Sequence, residues 1–126
     1  MKTRVNLALD KEDEAIIRLF TAIGMRKSLS KALIYISQVD ECRSTDVERG
    51  TNLRQPEVSI AMQELRRRGW VKKQDLKRKG KGRPVHIYTS TVELSDIVKT
   101  IEQEKMKELE DAKNDLAELK NILLSR

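Results

Sequence analysis

Between positions 66 and 92 the chain carries ten basic residues and one acidic one. The basic ones are Arg66, Arg67, Arg68, Lys72, Lys73, Lys77, Arg78, Lys79, Lys81 and Arg83, and the exception is Asp75. The flanking segments differ: residues 1–65 balance ten basic against ten acidic side chains, and residues 93–126 carry six against nine. The net charge of +6 therefore has its positive source in one short stretch. A surface built only for solubility mixes signs, so this asymmetry predicts a polyanionic partner whose phosphates the segment neutralises. Just upstream stand side chains suited to reading hydrogen-bonding edges: Arg54, Gln55, Ser59 and Gln63, with Pro56, Ile60 and Arg67 among them. Glutamine pairs bidentately with adenine, serine bonds a phosphate or a base, and an exposed isoleucine meets a thymine methyl.

Other chemistries find less material. No set of nucleophile, base and orienting group can be picked out, nor a phosphate-cradling glycine loop or a catalytic carboxylate pair, so an enzyme is not expected. Acidic residues such as Glu104 and Glu108 stand among lysines at the spacings of a solvated helix surface. His86 is the one histidine and Cys42 the one cysteine, which excludes an internal disulfide and predicts neither a metal site nor a cofactor. Cys42 reads as a small buried hydrophobe. Apolar runs are too short for a membrane span, and the N-terminal stretch lacks a signal-peptide core, so a cytoplasmic location is expected. With 38% hydrophobic but only 3% aromatic residues, the core must be aliphatic.

The elements that position these residues follow from periodicity. Ala15, Ile16, Leu19, Phe20 and Ile23 recur at helical spacing over residues 11–23, with Glu12, Asp13 and Glu14 in the first turn and Gly24 as the stop. Ser28 or Ser30 is expected to cap a second helix bearing Ala32, Leu33, Tyr35, Ile36 and Val39. Residues 41–43 suggest a brief edge strand, and Ser44 or Thr45 the cap of a third helix running to about Thr51. A fourth helix over 55–68 tolerates Pro56 in its first turn, turns Val58, Ala61, Met62 and Leu65 inward, and ends at Gly69. Residues 70–76 and 85–89 read as two strands of a hairpin joined by the basic loop 77–84, where Gly80 and Gly82 let backbone approach DNA.

From Leu94 onward nothing breaks a helix. Leu94, Val98, Ile101, Lys105, Leu109, Ala112, Leu116, Leu119 and Leu123 form a heptad-like seam with one stutter at Lys105. About thirty residues give a rod on the order of 45 Å. Its polar outer faces call for a partner helix, most simply that of a second chain, so Leu94, Val98, Ile101, Leu109, Ala112, Leu116, Leu119 and Leu123 are the expected dimerisation residues.

The fold class expected is mainly α with a small β-hairpin: a winged helix-turn-helix over 1–92 followed by a long dimerisation helix over 93–126. The fourth helix would enter a major groove through Arg54, Gln55, Pro56, Ser59, Ile60, Gln63 and Arg67. The hairpin would hold the flanking phosphates through Lys72, Lys73, Lys77, Arg78, Lys79, Lys81 and Arg83, the last also reaching toward the minor groove. Gln55-Pro56-Glu57-Val58-Ser59, followed by Met62, Leu65 and Arg66-Arg67-Arg68-Gly69-Trp70-Val71, resembles the Gln-Pro-Thr-Val-Ser pattern of winged-helix regulators. With the long helix after the hairpin, residues 15–110 look most like archaeal TrmB-like and MarR-like proteins. That resemblance implies a homodimer on palindromic double-stranded DNA. Glu57 stands where the pattern has threonine, an acid placed to accept from cytosine or to repel a wrong site. TrmB proteins continue into a sugar-sensing domain where this sequence stops, so the DNA-binding domain alone is expected, and no residue names an effector. Two other readings remain: a winged helix serving as a protein-interaction module of the transcription machinery, and RNA binding by the basic hairpin. Poverty in aromatics counts against single-stranded RNA, whose bases are read by stacking.

Overall fold

The computed structural model describes residues 9–76 and 85–126. Contacts divide the chain into two units, Met1–Val92 and Glu93–Arg126. In the first, α1 (Lys11–Ala22), α2 (Lys27–Ser37), α3 (Ser44–Thr51) and α4 (Gln55–Arg67) precede an antiparallel hairpin of β1 (Val71–Leu76) and β2 (Val85–Ser90).

The hub is α2. Leu29, Ala32, Leu33, Ile34, Tyr35 and Ile36 are all buried, and a helix apolar around most of its circumference has to be surrounded. α1, α3, α4 and β2 all pack on it. Its start differs from the expected serine cap. The cap position is Arg26, and Ser30 lies fully buried inside the first turn, donating its hydroxyl to the Arg26 carbonyl at 3.2 Å. Burial of that face overrides the local preference of serine for a cap.

α1 is rotated from the expected face. Asp13, Ile17 and Phe20 are buried, whereas Leu19 (61% exposed) and Ile23 face solvent. Two apolar stripes lie side by side on this helix, and a polar tie selects between them. Asp13 accepts from the Asp10 backbone N–H at 2.9 Å and from the side chain of Gln38 at the end of α2. Asp10 accepts in return from the Asp13 N–H at 2.8 Å, a reciprocal capping box. A buried carboxylate with these donors is tolerated where a bare one would not be.

The sheet runs Val71↔Ser90 to Leu76↔Val85. The expected strand over 41–43 is reduced to a single bridge, in which Cys42 and Tyr88 exchange two backbone hydrogen bonds of 3.0 and 2.8 Å. β2 thereby lies between β1 and Cys42. Burial pushes the Cys42 thiol up to about 12, helped by the nearby carboxylates of Asp46 and Glu41, so it behaves as a core residue. At the hairpin base, Thr91 donates its N–H to the Trp70 carbonyl (2.9 Å) and its hydroxyl to that of Gly69 (2.6 Å).

The second unit is one helix, α5 (Leu94–Leu124). Ile97 and Ile101 are buried, and every residue from 102 onward is exposed. Of the expected seam, Val98 is 47% exposed and Leu94 half-buried within the single chain, and Ile97 beside Val98 is buried. The lower seam, Leu109, Ala112, Leu116, Leu119 and Leu123, lies open. No helix among the described residues is long and apolar enough to cross a membrane.

Candidate nucleic-acid interface

α3 and α4 are joined by Asn52, Leu53 and Arg54, a turn the local sequence makes stiff. Asn52 adopts the left-handed conformation (φ 61°, ψ 27°) that ends α3, a position asparagine accepts more readily than most residues. Buried Thr51 spans the turn: its hydroxyl donates to the Val47 carbonyl at 2.6 Å and accepts from the Leu53 N–H at 3.3 Å. α4 then begins with Gln55 and Pro56, where a missing N–H costs nothing. The Arg54 N–H, otherwise unpaired at the helix start, donates to the Glu57 carboxylate at 3.0 Å. Glu57 therefore serves the start of α4, a task distinct from the expected contact with a base. α3 starts the same way: Arg43, not the expected Ser44 or Thr45, holds the cap position, and its N–H donates to Asp46 at 2.9 Å.

α4 divides cleanly into two faces. Val58, Ala61, Met62 and Leu65 are buried, as their spacing requires. Arg54, Gln55, Pro56, Ser59, Ile60, Gln63 and Arg67 are all exposed. Ile60 is 54% exposed, unusual for a large aliphatic on an otherwise polar face. A shallow groove runs beside this face, lined by Met25, Ser28 and Leu29 as well as Ile60, Gln63 and Arg67.

The end of α4 is held by an acidic fork. Glu64 accepts from Arg67 (Nε at 2.8 Å) and from Arg68 (Nε at 2.6 Å). The hydrogen bond from Arg67, then that from Arg68, lowers the Glu64 carboxyl to about 2. Arg67, expected on the DNA-facing side, is thus partly neutralised by its own helix. The spacings three and four residues apart were visible in the sequence, but they did not show which of three consecutive arginines would be engaged. Arg68 also stacks over Trp70, 5.0 Å from the ring centroid. Gly69, at φ +77°, closes the helix, and the Trp70 N–H reaches back to the Leu65 carbonyl at 3.0 Å.

On the hairpin, Lys72 is exposed and Lys73 half-buried. Asp75, the lone acid of the basic segment, bonds His86 across the strands at 2.6 Å. Lys77, Arg78, Lys79, Lys81 and Arg83, with Gly80 and Gly82, lie outside the described residues. Among the described residues, no group of three or more His, Cys, Asp or Glu side chains is arranged to hold a metal ion.

No protein-family model matches the sequence, and no curated protein matches it. Solved structures do. TrmBL2, an archaeal chromatin protein whose structure shows a novel mode of DNA binding, superposes on 90% of this chain with a TM-score of 0.71 and 11% identity. A possible transcriptional regulator from Methanosarcina mazei Go1 covers 91% of this chain, with a TM-score of 0.60 and 13% identity. A MarR-family transcription regulator covers 78%, with a TM-score of 0.53 and 17% identity. This chain spans 42% of the TrmBL2 chain and 63% of the MarR-family one, but 98% of the Methanosarcina protein. At such identities the likeness is one of fold: a winged helix-turn-helix of the TrmB and MarR type. α3 and α4 form the helix-turn-helix, and β1 and β2 form the stem of the wing.

Proposed function

We propose that this chain is a sequence-specific double-stranded DNA-binding transcriptional regulator that acts as a homodimer without catalysing a reaction. The observation that carries the reading is the exposed outer face of α4 beside a wing of strongly positive sequence. Arg54, Gln55, Ser59, Ile60 and Gln63 lie open on a helix whose other face is fixed by the core. Such a helix is stiff enough to present base-reading side chains without further ordering. Ser59 and Gln63 would meet base edges, Ile60 a thymine methyl, and Gln55 and Arg54 the bases or phosphates at the helix start. Lys72 and Lys73, together with Lys77, Arg78, Lys79, Lys81 and Arg83, would neutralise phosphates. Arg67 contributes less than its charge suggests, because Glu64 already holds it. DNA binding by TrmBL2, which shares the fold, agrees with this reading. In a dimer the two α4 helices would enter successive major grooves about 34–36 Å apart.

Selection of bound sequences from random duplex DNA tests the proposal. The expected result is an inverted repeat with half-sites about 10 base pairs apart, centre to centre. Failure to enrich any sequence, or preference for structured RNA in direct competition, would overturn it.

A further inference from the structure

The exposed part of α5 carries a second pattern beside its apolar seam. Taking Leu109 as position a of a heptad, Leu116 and Leu123 also fall at a, and Ala112 and Leu119 at d. The residues flanking that seam are then Glu108 and Asp115 at g, and Lys113 and Lys120 at e. Over residues 108–121 one flank is acidic and the other basic; the next g position, beside Leu123, is the apolar Ile122. Leu109, Leu116, Leu119 and Leu123 are all more than half exposed, and among the described residues no ion pair engages Lys113, Asp115 or Lys120. The stutter at Lys105 falls just after Ile101, where the buried part of α5 ends and the exposed part begins. One surface thus serves the upper turns and a second, with its own register, the lower ones.

We infer that the exposed stretch of α5 pairs with that of a second copy of this chain as a parallel, in-register coiled coil. The inference rests on the proposed homodimer and specifies its partner surface and polarity. Polarity follows from charge. In a parallel pair each g residue faces the e residue five positions on in the other strand. Glu108, held in the single chain by Lys105 at 3.3 Å, then meets the partner's Lys113, and Asp115 meets the partner's Lys120, twice over by symmetry. In an antiparallel pair g faces g and e faces e, so acids would oppose acids and lysines lysines. A parallel arrangement also brings both copies of residue 93, each joined through Val92 to a winged unit, to the same end of the rod.

Cysteine cross-linking of the full chain decides the matter. Leu123→Cys, treated with oxidised glutathione, is expected to give a covalent dimer at least tenfold faster than Asn114→Cys on the outer face, native Cys42 being buried. Leu109→Cys and Leu123→Cys, mixed under subunit exchange, should each give mainly the like-to-like disulfide, identified by mass spectrometry of the linked peptides. Predominance of the 109–123 product would mean an antiparallel pair and overturn the inference. So would cross-linking of Leu123→Cys no faster than Asn114→Cys, or sedimentation of the native chain as a monomer at about 100 µM. Lys113→Glu with Lys120→Glu should weaken the native dimer about tenfold at low salt, and an unchanged dissociation constant would also overturn it. Duplex selection with the native chain is read separately, so a wrong polarity with intact DNA binding is distinguishable from failure of the functional reading.

Discussion

α4 and α5 are both amphipathic helices, and they spend their apolar faces differently. In α4 the face of Val58, Ala61, Met62 and Leu65 is sealed within its own unit, and the polar face is left outside. In the lower part of α5 the apolar face itself is outside, with Leu109, Leu116, Leu119 and Leu123 open to solvent. A helix of the first kind is held rigid by its fold and offers hydrogen-bonding groups and charge to a ligand. A helix of the second kind is incomplete until another apolar surface covers it, because isolated helices this polar are marginal in water. The first arrangement suits recognition of a polar polymer, and the second suits assembly.

On the α4 side the largest expected effect is that of salt. A protein neutralising six to ten phosphates loses on the order of a thousandfold or more in duplex affinity between about 50 and 200 mM salt. Lys77→Glu, Arg78→Glu and Lys79→Glu combined should abolish most of the low-salt affinity while leaving the sedimentation of the dimer unchanged. A flat salt profile in fluorescence anisotropy would remove α4 and the wing from the recognition role. The contrast in burial comes next. Leu65→Ala should lower unfolding stability by about 2–5 kcal/mol through loss of core contacts and a residual cavity. Leu116→Ala should instead abolish the dependence of the thermal midpoint on protein concentration that a dimer shows. If the two variants behave alike in calorimetry, the two helices are not the different objects described above.

Smaller effects sharpen the picture. Gly69→Ala introduces a side chain at φ +77° with open space around it, so the cost is backbone strain alone, about 1–2 kcal/mol in urea unfolding. Glu64→Gln releases Arg67 and Arg68 from their shared acid. Duplex affinity is then expected to rise severalfold, and the salt dependence to steepen by about one to two counterions. The fork also has a pH signature. Its carboxyl is lowered from 4.5 to about 2, so its contribution is complete above the unfolded value and is lost as pH falls through the folded one. Carboxyl chemical shifts of Glu64 followed from pH 5 to pH 1.5 would check this directly.

Much of the arrangement was legible in the residues. The inward face of α4 follows from strict helical spacing, and the hairpin from alternation on either side of a glycine-punctuated basic loop. The cap of α2 was not legible, because Ser30 is a good capping residue locally and its burial depends on the elements packed around α2. The face of α1 was not legible either. Its two apolar stripes are nearly equivalent in sequence, and the tie between Asp13 and Gln38 joins residues twenty-five positions apart. The burial of Ile97 within the single chain was not legible, because the heptad spacing of α5 runs through Val98 instead.

The candidate interface shows the same division. Which side of α4 faces out, and that the wing is basic, are properties of composition and period, which survive any details of packing. Which charges on that face are free is a different question. Glu57 is occupied by the helix start and Glu64 by two arginines, and these assignments depend on rotamers and short distances that spacing alone does not specify. Sequence alone determined the elements, the exposed polar face and the segregation of charge, because each is a matter of local periodicity. The tertiary structure decided which of two adjacent stripes on α1 is buried, because that depends on contacts between residues distant in the chain, and side-chain geometry on α4 decided which cations are already paired.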